Sequence, residues 1–403
     1  MTRAATAAAA TALVAVVWAL LHVGWYGHGQ IVDYGVYQHY GGSIVHQGAV
    51  PYRDFRLEYP PAALPVFALP AVLDRFNYEY MFQAEMALCL LAIVLCVWWV
   101  GGVAKAATAA VAPLLLGSVV LSRFDLWPTA LVAIALALVL HGYSRSSGLV
   151  LGTAFAAKLW PAVLAPFVVL WLWRTRGRRA ALEWGAAALV AAAAWFLPFV
   201  ALAPSGVGHS FYEQFARPLQ IESLGAEILI AAHHAFGTPI GRTDSFGSQN
   251  IAGHGAHEVA LLTTAAEAVA LVAVSVVFAR GRPTVERLLV ASAAAVAALV
   301  AFGKVFSPQF LIWLIPLVLL VRSIAARVLF ATALILTQVY FPRRYWELPI
   351  ELRRAIATLV LIRDVVVVAI FGVLLYGLQR ARAESRVVDS SLVSDRSGLR
   401  TSP

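Results

Sequence analysis

The chain has 403 residues, of which 61% are hydrophobic and only 13% charged, with a formal net charge of +9 and a mean hydropathy of +0.79. Soluble globular chains carry about 25% charge, so this composition excludes a water-soluble domain. The positive balance does not point to nucleic acid, because arginines flanking membrane spans produce the same excess.

The first segment, "MTRAATAAAATALVAVVWALLHVGW", has a basic start, but its apolar run exceeds a signal-peptide core and no convincing A-x-A site follows. It predicts an uncleaved first span over 8–25, with the N-terminus in the cytoplasm. Further apolar runs lie at 80–100, 106–122, 126–142, 147–157, 160–173, 183–203, 257–279, 286–302, 308–321, 325–341 and 355–378. A ~30 Å hydrocarbon core takes ~20 helical residues, so the pattern predicts an all-α polytopic membrane protein of about 12 spans. Segment 61–73, "PAALPVFALPAVL", is too short and too rich in proline to cross comfortably. Cys89 and Cys96 share one helical run and one face, and do not bridge.

Arginine clusters orient the spans, because short Arg-rich loops stay inside. "RTRGRR" (174–179) and "RGRPTVER" (280–287) are the strongest such marks. Counting back from them places Lys105 and Arg145 inside and both "RFDLWP" and "AKLWP" outside. Residues 26–79 then form one long outer loop, with 61–73 as a re-entrant or surface-lying helix within it. A second long outer loop covers 204–256, and "GKVFSPQ" and "FPRRYWELPIELRR" fall on the same face. Arg53, Arg56, Arg75, Arg123, Arg217, Arg343, Arg344, Arg353 and Arg354 lie there against the positive-inside bias. Cations kept on that side either bind an anion or anchor helix ends at headgroups. Residues 1–379 read as one transmembrane domain, and 380–403, rich in Ser and charge, as a disordered cytoplasmic tail. The absence of an internal sequence repeat counts against a transporter built on inverted repeats.

Within the first outer loop, Asp33 stands close to the membrane exit, where a carboxylate can take a proton from an attacking hydroxyl or cap the helix that follows. Lone lysines in apolar hairpins, Lys158 before Trp160-Pro161 and Lys304 before "FSPQ", call for anionic partners. Arg363 falls nine residues into the last span, where it either pairs with Asp364 or faces a ligand. "HH" at 233–234 and the His254, His257 pair lack an assured carboxylate, so no metal is expected. Trp160, Tyr345 and Trp346 are expected in an interfacial aromatic belt, with stacking on sugar as the alternative for Trp160. Pro60 and Pro61 suit the first turn of a helix, having no N–H to satisfy.

The order Asp33, Tyr37, "HQGAVPYRDF", "EYPPAALPVF" resembles the first loop of the GT-C membrane glycosyltransferases, most closely glycosyltransferase family 87. "GTAFAAKLWPAVLAPFVVLWLWRTRGRR", "QIESLGAEI", "FGKVFSPQFLIWLIPL" and "LIRDVVVVAIFGVLL" are similar to further segments of that family in the same order, over roughly residues 8–379. "SRFDLWPTALVAIALAL" departs from it, since Arg123 and Asp125 replace a Gly/Asn-rich approach to the span. The resemblance implies an inverting transfer of a mannosyl or related residue from a polyprenyl-phosphate sugar to a glycolipid or lipoglycan, on the outer face of a bacterial cell membrane. It implies Asp33 as catalytic base. Tyr37, Asp54, Glu58 and Glu222 then contact acceptor or sugar, Asp54 and Glu58 being also reserve bases or partners of Arg53 and Arg56. Lys158, Lys304, Arg363 and Arg217 bind the donor phosphate. No cofactor is implied beyond the lipid-phosphate donor, and the partners are donor, acceptor and membrane lipids. A lipid-linked sugar flippase, a glycolipid-binding relative without activity, or the same enzyme with an arabinofuranose or glucose donor remain the alternatives.

Overall fold

The computed structural model of the chain describes residues 3–27, 31–253 and 255–398. Each apolar run of the sequence is helical. The helices are α1 (Arg3–Leu20), α2 (Tyr34–Val45), α3 (Leu64–Val72), α4 (Tyr78–Gly101), α5 (Val103–Leu116), α6 (Val119–Ser122), α7 (Leu126–Leu140), α8 (Ser144–Ala157) and α9 (Ala165–Arg176). They continue as α10 (Arg178–Leu202), α11 (Pro204–Ala216) and α12 (Leu224–Phe236), then, after a β-hairpin of β1 (Gly241–Ser245) and β2 (Ser248–Ala252), as α13 (Ala256–Ala279), α14 (Val285–Phe302), α15 (Leu311–Leu320), α16 (Ile324–Tyr340) and α17 (Arg354–Gly398). Among the described residues, α4, α10, α13, α14 and residues 354–380 of α17 are each long and apolar enough to cross a membrane. The protein is an all-α polytopic membrane protein. The helix α17 runs through the stretch that the sequence reads as a disordered tail, while residues 399–403 lie outside the described ones.

The centre of the bundle is α14, whose "ASAAAVAALVA" is almost entirely buried. Small side chains let α13, α15 and α17 approach its backbone closely. At its far end Arg287, 2% exposed, donates to the carbonyls of Val277 at 2.7 Å and Leu378 at 2.5 Å, so one guanidinium ties α13, α14 and α17. At the periphery α10 leaves Leu182, Leu189 and Leu197 exposed, and α13 leaves Leu262, Val269 and Val272 exposed. Such rows belong against lipid, which satisfies apolar surface and leaves the backbone bonds to the helix itself.

The segment 61–73 forms only a short helical element. Pro60 caps and Pro61 opens a short 3₁₀ turn, and α3 then adds 9 residues, a rise of roughly 14 Å. It lies against α2 and α4 beneath the first loop. That loop is cinched by Asp54, whose carboxylate accepts from Val50 N–H at 2.7 Å and from Arg53 Nε at 2.9 Å.

Helices α8 and α10 meet through Gly148 and Gly152, spaced as a small-xxx-small pair. A Cβ at Gly152 would fall on the carbonyl oxygen of Ala188, and one at Gly148 on that of Trp184. Gly152→Leu is therefore expected to force the helices apart at a cost of about 1–3 kcal/mol, lowering the melting temperature of the detergent-purified protein by several degrees. Gly185→Ala, where an added Cβ meets nothing within 4 Å, is expected not to lower it.

Candidate active site

The segments that charge counting puts on one face converge on a cavity of ≈ 500 Å³. Its walls come from the start of α2, the loop end at Glu58–Pro60, the α6–α7 and α8–α9 junctions, the end of α11, the 220–222 segment, the hairpin tip, residues 307–313 and residues 341–346. Almost every wall residue sits at a helix end or in a loop, where polar groups can face inward without breaking a span.

Asp33 occupies the N-cap position of α2 but makes no capping bond with its side chain. Its carboxylate instead turns to the Arg123 guanidinium, an ion pair at the cavity wall, and receives the Tyr37 hydroxyl at 3.4 Å. Tyr37, 1% exposed, does not line the cavity. It is packed into an aromatic floor, stacked on Phe67 at 4.6 Å and on Phe82 at 5.2 Å and edge-on to Phe124 at 5.9 Å. These contacts fix α2 and thereby the position of Asp33.

Lys158 ends α8 in extended backbone and donates to Asp125 Oδ1 at 2.7 Å. Trp313 Nε1 donates to the same oxygen at 2.6 Å. The ammonium lies over the rings of Phe124 at 4.7 Å and Trp313 at 5.4 Å, a cation–π seat. Burial pushes the Lys158 ammonium below its ordinary range, and Asp125 pulls it back. Trp160, expected in the interfacial belt, is instead 7% exposed and stacks on Trp313 at 5.1 Å, because the proline-led turn after α8 folds it inward. Tyr345 is likewise buried in the cavity wall, whereas Trp346 stays half exposed at the rim.

Glu222 is held by a local construction that starts in the hairpin. Phe246 and Gly247, with φ of 55° and 63°, make the tight turn that such left-handed pairs favour. Residues 219–221 then pair with β2, through Ile221 N–H to Gln249 O at 3.0 Å and Ile251 N–H to Leu219 O at 2.9 Å. Gln220 reaches Ser307 Oγ at 2.9 Å. Glu222 accepts from the Tyr340 hydroxyl, and its carbonyl accepts from Arg363 at 2.6 Å. Burial pushes the Glu222 carboxyl up to about 7, against the pull of Arg363, Tyr340 and Arg123.

Glu58 and Arg217 face each other across 3.9 Å at one side of the cavity. Burial raises the Glu58 carboxyl, opposed by Arg217 and Lys158. Asp33, Glu58, Glu222, Lys158 and Arg217 are thus brought together. Four other expected residues stand away from the cavity. Asp54 remains in its turn with Arg53, which holds its carboxyl down at about 2. Lys304 donates to Phe215 O at 2.7 Å. Arg363, fully buried, pairs with Asp364 at 2.8 Å and covers Phe306 at 3.8 Å, behind Glu222 rather than beside it. Tyr37 lies beneath Asp33. Among the described residues no group of three or more His, Cys, Asp or Glu is placed to hold a metal, and His254 lies outside them.

Sequence reasoning placed Arg123 only among the outer-face cations and gave Asp125 no role, though two opposite charges between apolar runs are a signal for buried pairing. Trp313, Gln220 and Tyr340 carry no such signal, since each reads as ordinary helix or loop.

Asp125→Ala strands the Lys158 charge and is expected to cost about 3 kcal/mol. Asp125→Ala with Lys158→Ala should cost less than the two single changes added, as read by a double-mutant cycle of thermal unfolding. Glu222 gives a pH dependence. With its folded carboxyl near 7 against an ordinary 4.5, its contribution is fully present below pH 4.5 and lost as pH rises through about 7. The melting temperature of the wild type should therefore fall relative to Glu222→Gln across that window.

No curated protein matches the chain. The profile of glycosyltransferase family 87 matches residues 57–308, beginning after Asp33 and spanning Glu58, Arg123, Lys158, Arg217 and Glu222. A helical membrane bundle of GT-C type with a charged cavity at the helix ends agrees with that match, and the chain belongs to glycosyltransferase family 87.

Proposed function

We propose that the protein is an inverting mannosyltransferase that moves a mannosyl residue from a polyprenyl phosphate to a glycolipid or lipoglycan. It works without a metal, at the periplasmic face of a bacterial inner membrane. The observation that carries this reading is the meeting of Asp33 with Arg123, Lys158 and Arg217 in one cavity at the ends of lipid-facing helices. An anionic lipid headgroup and a sugar fit such a site, because its polar wall opens next to apolar helices.

In the reaction the acceptor hydroxyl attacks the anomeric carbon from the side opposite the phosphate. The new oxygen–carbon bond forms as the carbon–phosphate oxygen bond breaks, and the electron pair leaves with the phosphate. Asp33 takes the hydroxyl proton. Lys158 and Arg217 offset the growing charge on the departing phosphate. Glu58 and Glu222 accept hydrogen bonds from sugar hydroxyls, and Trp160 offers an apolar face. Arg363 and Lys304 act at one remove, Arg363 by holding the Glu222 backbone and Lys304 by fixing the end of α11. Tyr37 keeps Asp33 oriented, and Asp54 shapes the loop that delivers Glu58.

General-base catalysis contributes ~10²–10⁴-fold. Asp33→Ala is accordingly expected to lower transfer of radiolabelled mannose from polyprenyl-phosphate mannose at least ~100-fold in membranes that contain equal amounts of protein. Full activity in that variant would sink the assignment of the base. Competition with polyprenyl-phosphate arabinofuranose and glucose checks the sugar, since only the true donor is consumed.

A further inference from the structure

Each cation lining the cavity is already committed to a carboxylate: Arg123 to Asp33, Lys158 to Asp125 at 2.7 Å and Arg217 to Glu58 at 3.9 Å. A phosphate entering the site competes with these carboxylates for the same donors. The three pairs differ in what that competition leaves behind.

Asp125 is 1% exposed and sealed under Trp313 and Phe124, so removing its lysine would strand a buried carboxylate. Arg217 is loosely paired and is also held by the carbonyl of Phe246 at 3.0 Å. Glu58, 30% exposed, has little pairing to give up, so Asp33 is the carboxylate whose close ion pair must open for its cation to serve a phosphate. Its side chain is 26% exposed toward the cavity, and the Tyr37 hydroxyl at 3.4 Å stays with it as a donor. Arg123 has the matching chemistry, a rigid fork of N–H groups suited to phosphate oxygens. Its Nε has no hydrogen-bond partner among the described residues.

We infer that Arg123 exchanges partners during the reaction, passing from Asp33 to the phosphate of the donor and so freeing the Asp33 carboxylate to take the acceptor's proton. The inference rests on a prenyl phosphate being the donor. Arg123 is then a catalytic residue with two successive partners. While the guanidinium holds Asp33, the carboxylate is a poor base. The cavity therefore activates a hydroxyl only after the donor is seated, so the base and the leaving group are readied by one event.

The test reads binding, not transfer. Farnesyl phosphate and, as the uncharged control, farnesol are titrated into the detergent-purified full chain while the fluorescence of the cavity tryptophans is followed. The wild type should bind the phosphate more tightly than the alcohol. Asp33→Asn removes the competitor and should bind farnesyl phosphate roughly tenfold more tightly, the scale of one hydrogen bond to a charged group. Arg123→Gln should bind it roughly tenfold more weakly, with farnesol unaffected in both. An Asp33→Asn protein with unchanged or weaker phosphate affinity overturns the exchange while leaving the donor reading intact. A wild type that does not distinguish the phosphate from the alcohol overturns the donor reading itself.

Discussion

A charge in an apolar bundle has to be neutralised where it stands, and the Lys158–Asp125 bond is the one on which the cavity's architecture turns. It joins the end of α8 to the start of α7, and through Trp313 to the start of α15, so three helices are registered by one carboxylate oxygen. The rings of Phe124, Phe310 and Trp313 exclude water around the ammonium, which strengthens the bond and raises the cost of separating the partners. Around this fixed point the other elements can be looser. The Asp33–Arg123 pair stands one residue away in sequence from Phe124, and it borrows its rigidity from the same aromatic floor.

The supports differ on the other side of the cavity. There the hairpin, not a helix, does the positioning: β2 lends a third short strand-like segment at 219–221, and this delivers Glu222 to Tyr340 and Arg363. A carboxylate carried on a loop and backed by fully buried groups from α16 and α17 has a fixed location despite its irregular backbone. The site is thus assembled from two unlike frames, a helix-end frame around Lys158 and a hairpin frame around Glu222.

Much of the fold was legible because hydrocarbon leaves few options: an apolar run is helical, and each of the runs is, though 106–122 breaks at Gly117–Ser118 into α5 and α6. The proline-rich 61–73 segment was legible as a short helical element, since Pro60 and Pro61 stand at its first turn. Asp33, Glu58, Lys158 and Arg217, expected together from the family resemblance and from polar groups near span ends, line one cavity. Arg363 and Lys304 show the limit of that reading. Lys304 looks like a lone cation yet is satisfied by the carbonyl of Phe215, and Arg363 takes the neighbouring Asp364 that the sequence offers as a partner but also the distant carbonyl of Glu222, which no local pattern reveals. Asp125 was hidden for the opposite reason. Its partner lies 33 residues away, so its pairing exists only in the folded bundle.

Arg287 gives the molecule a mechanical asymmetry. At the end opposite the cavity it clamps α13, α14 and α17 to one another through backbone carbonyls, bonds that do not depend on which side chains the neighbours carry. At the cavity end the same helices are joined by loops and a hairpin. The fastening at the base is thus independent of side-chain identity, whereas the fastenings around the cavity each depend on a particular carboxylate, Asp125 or Glu222.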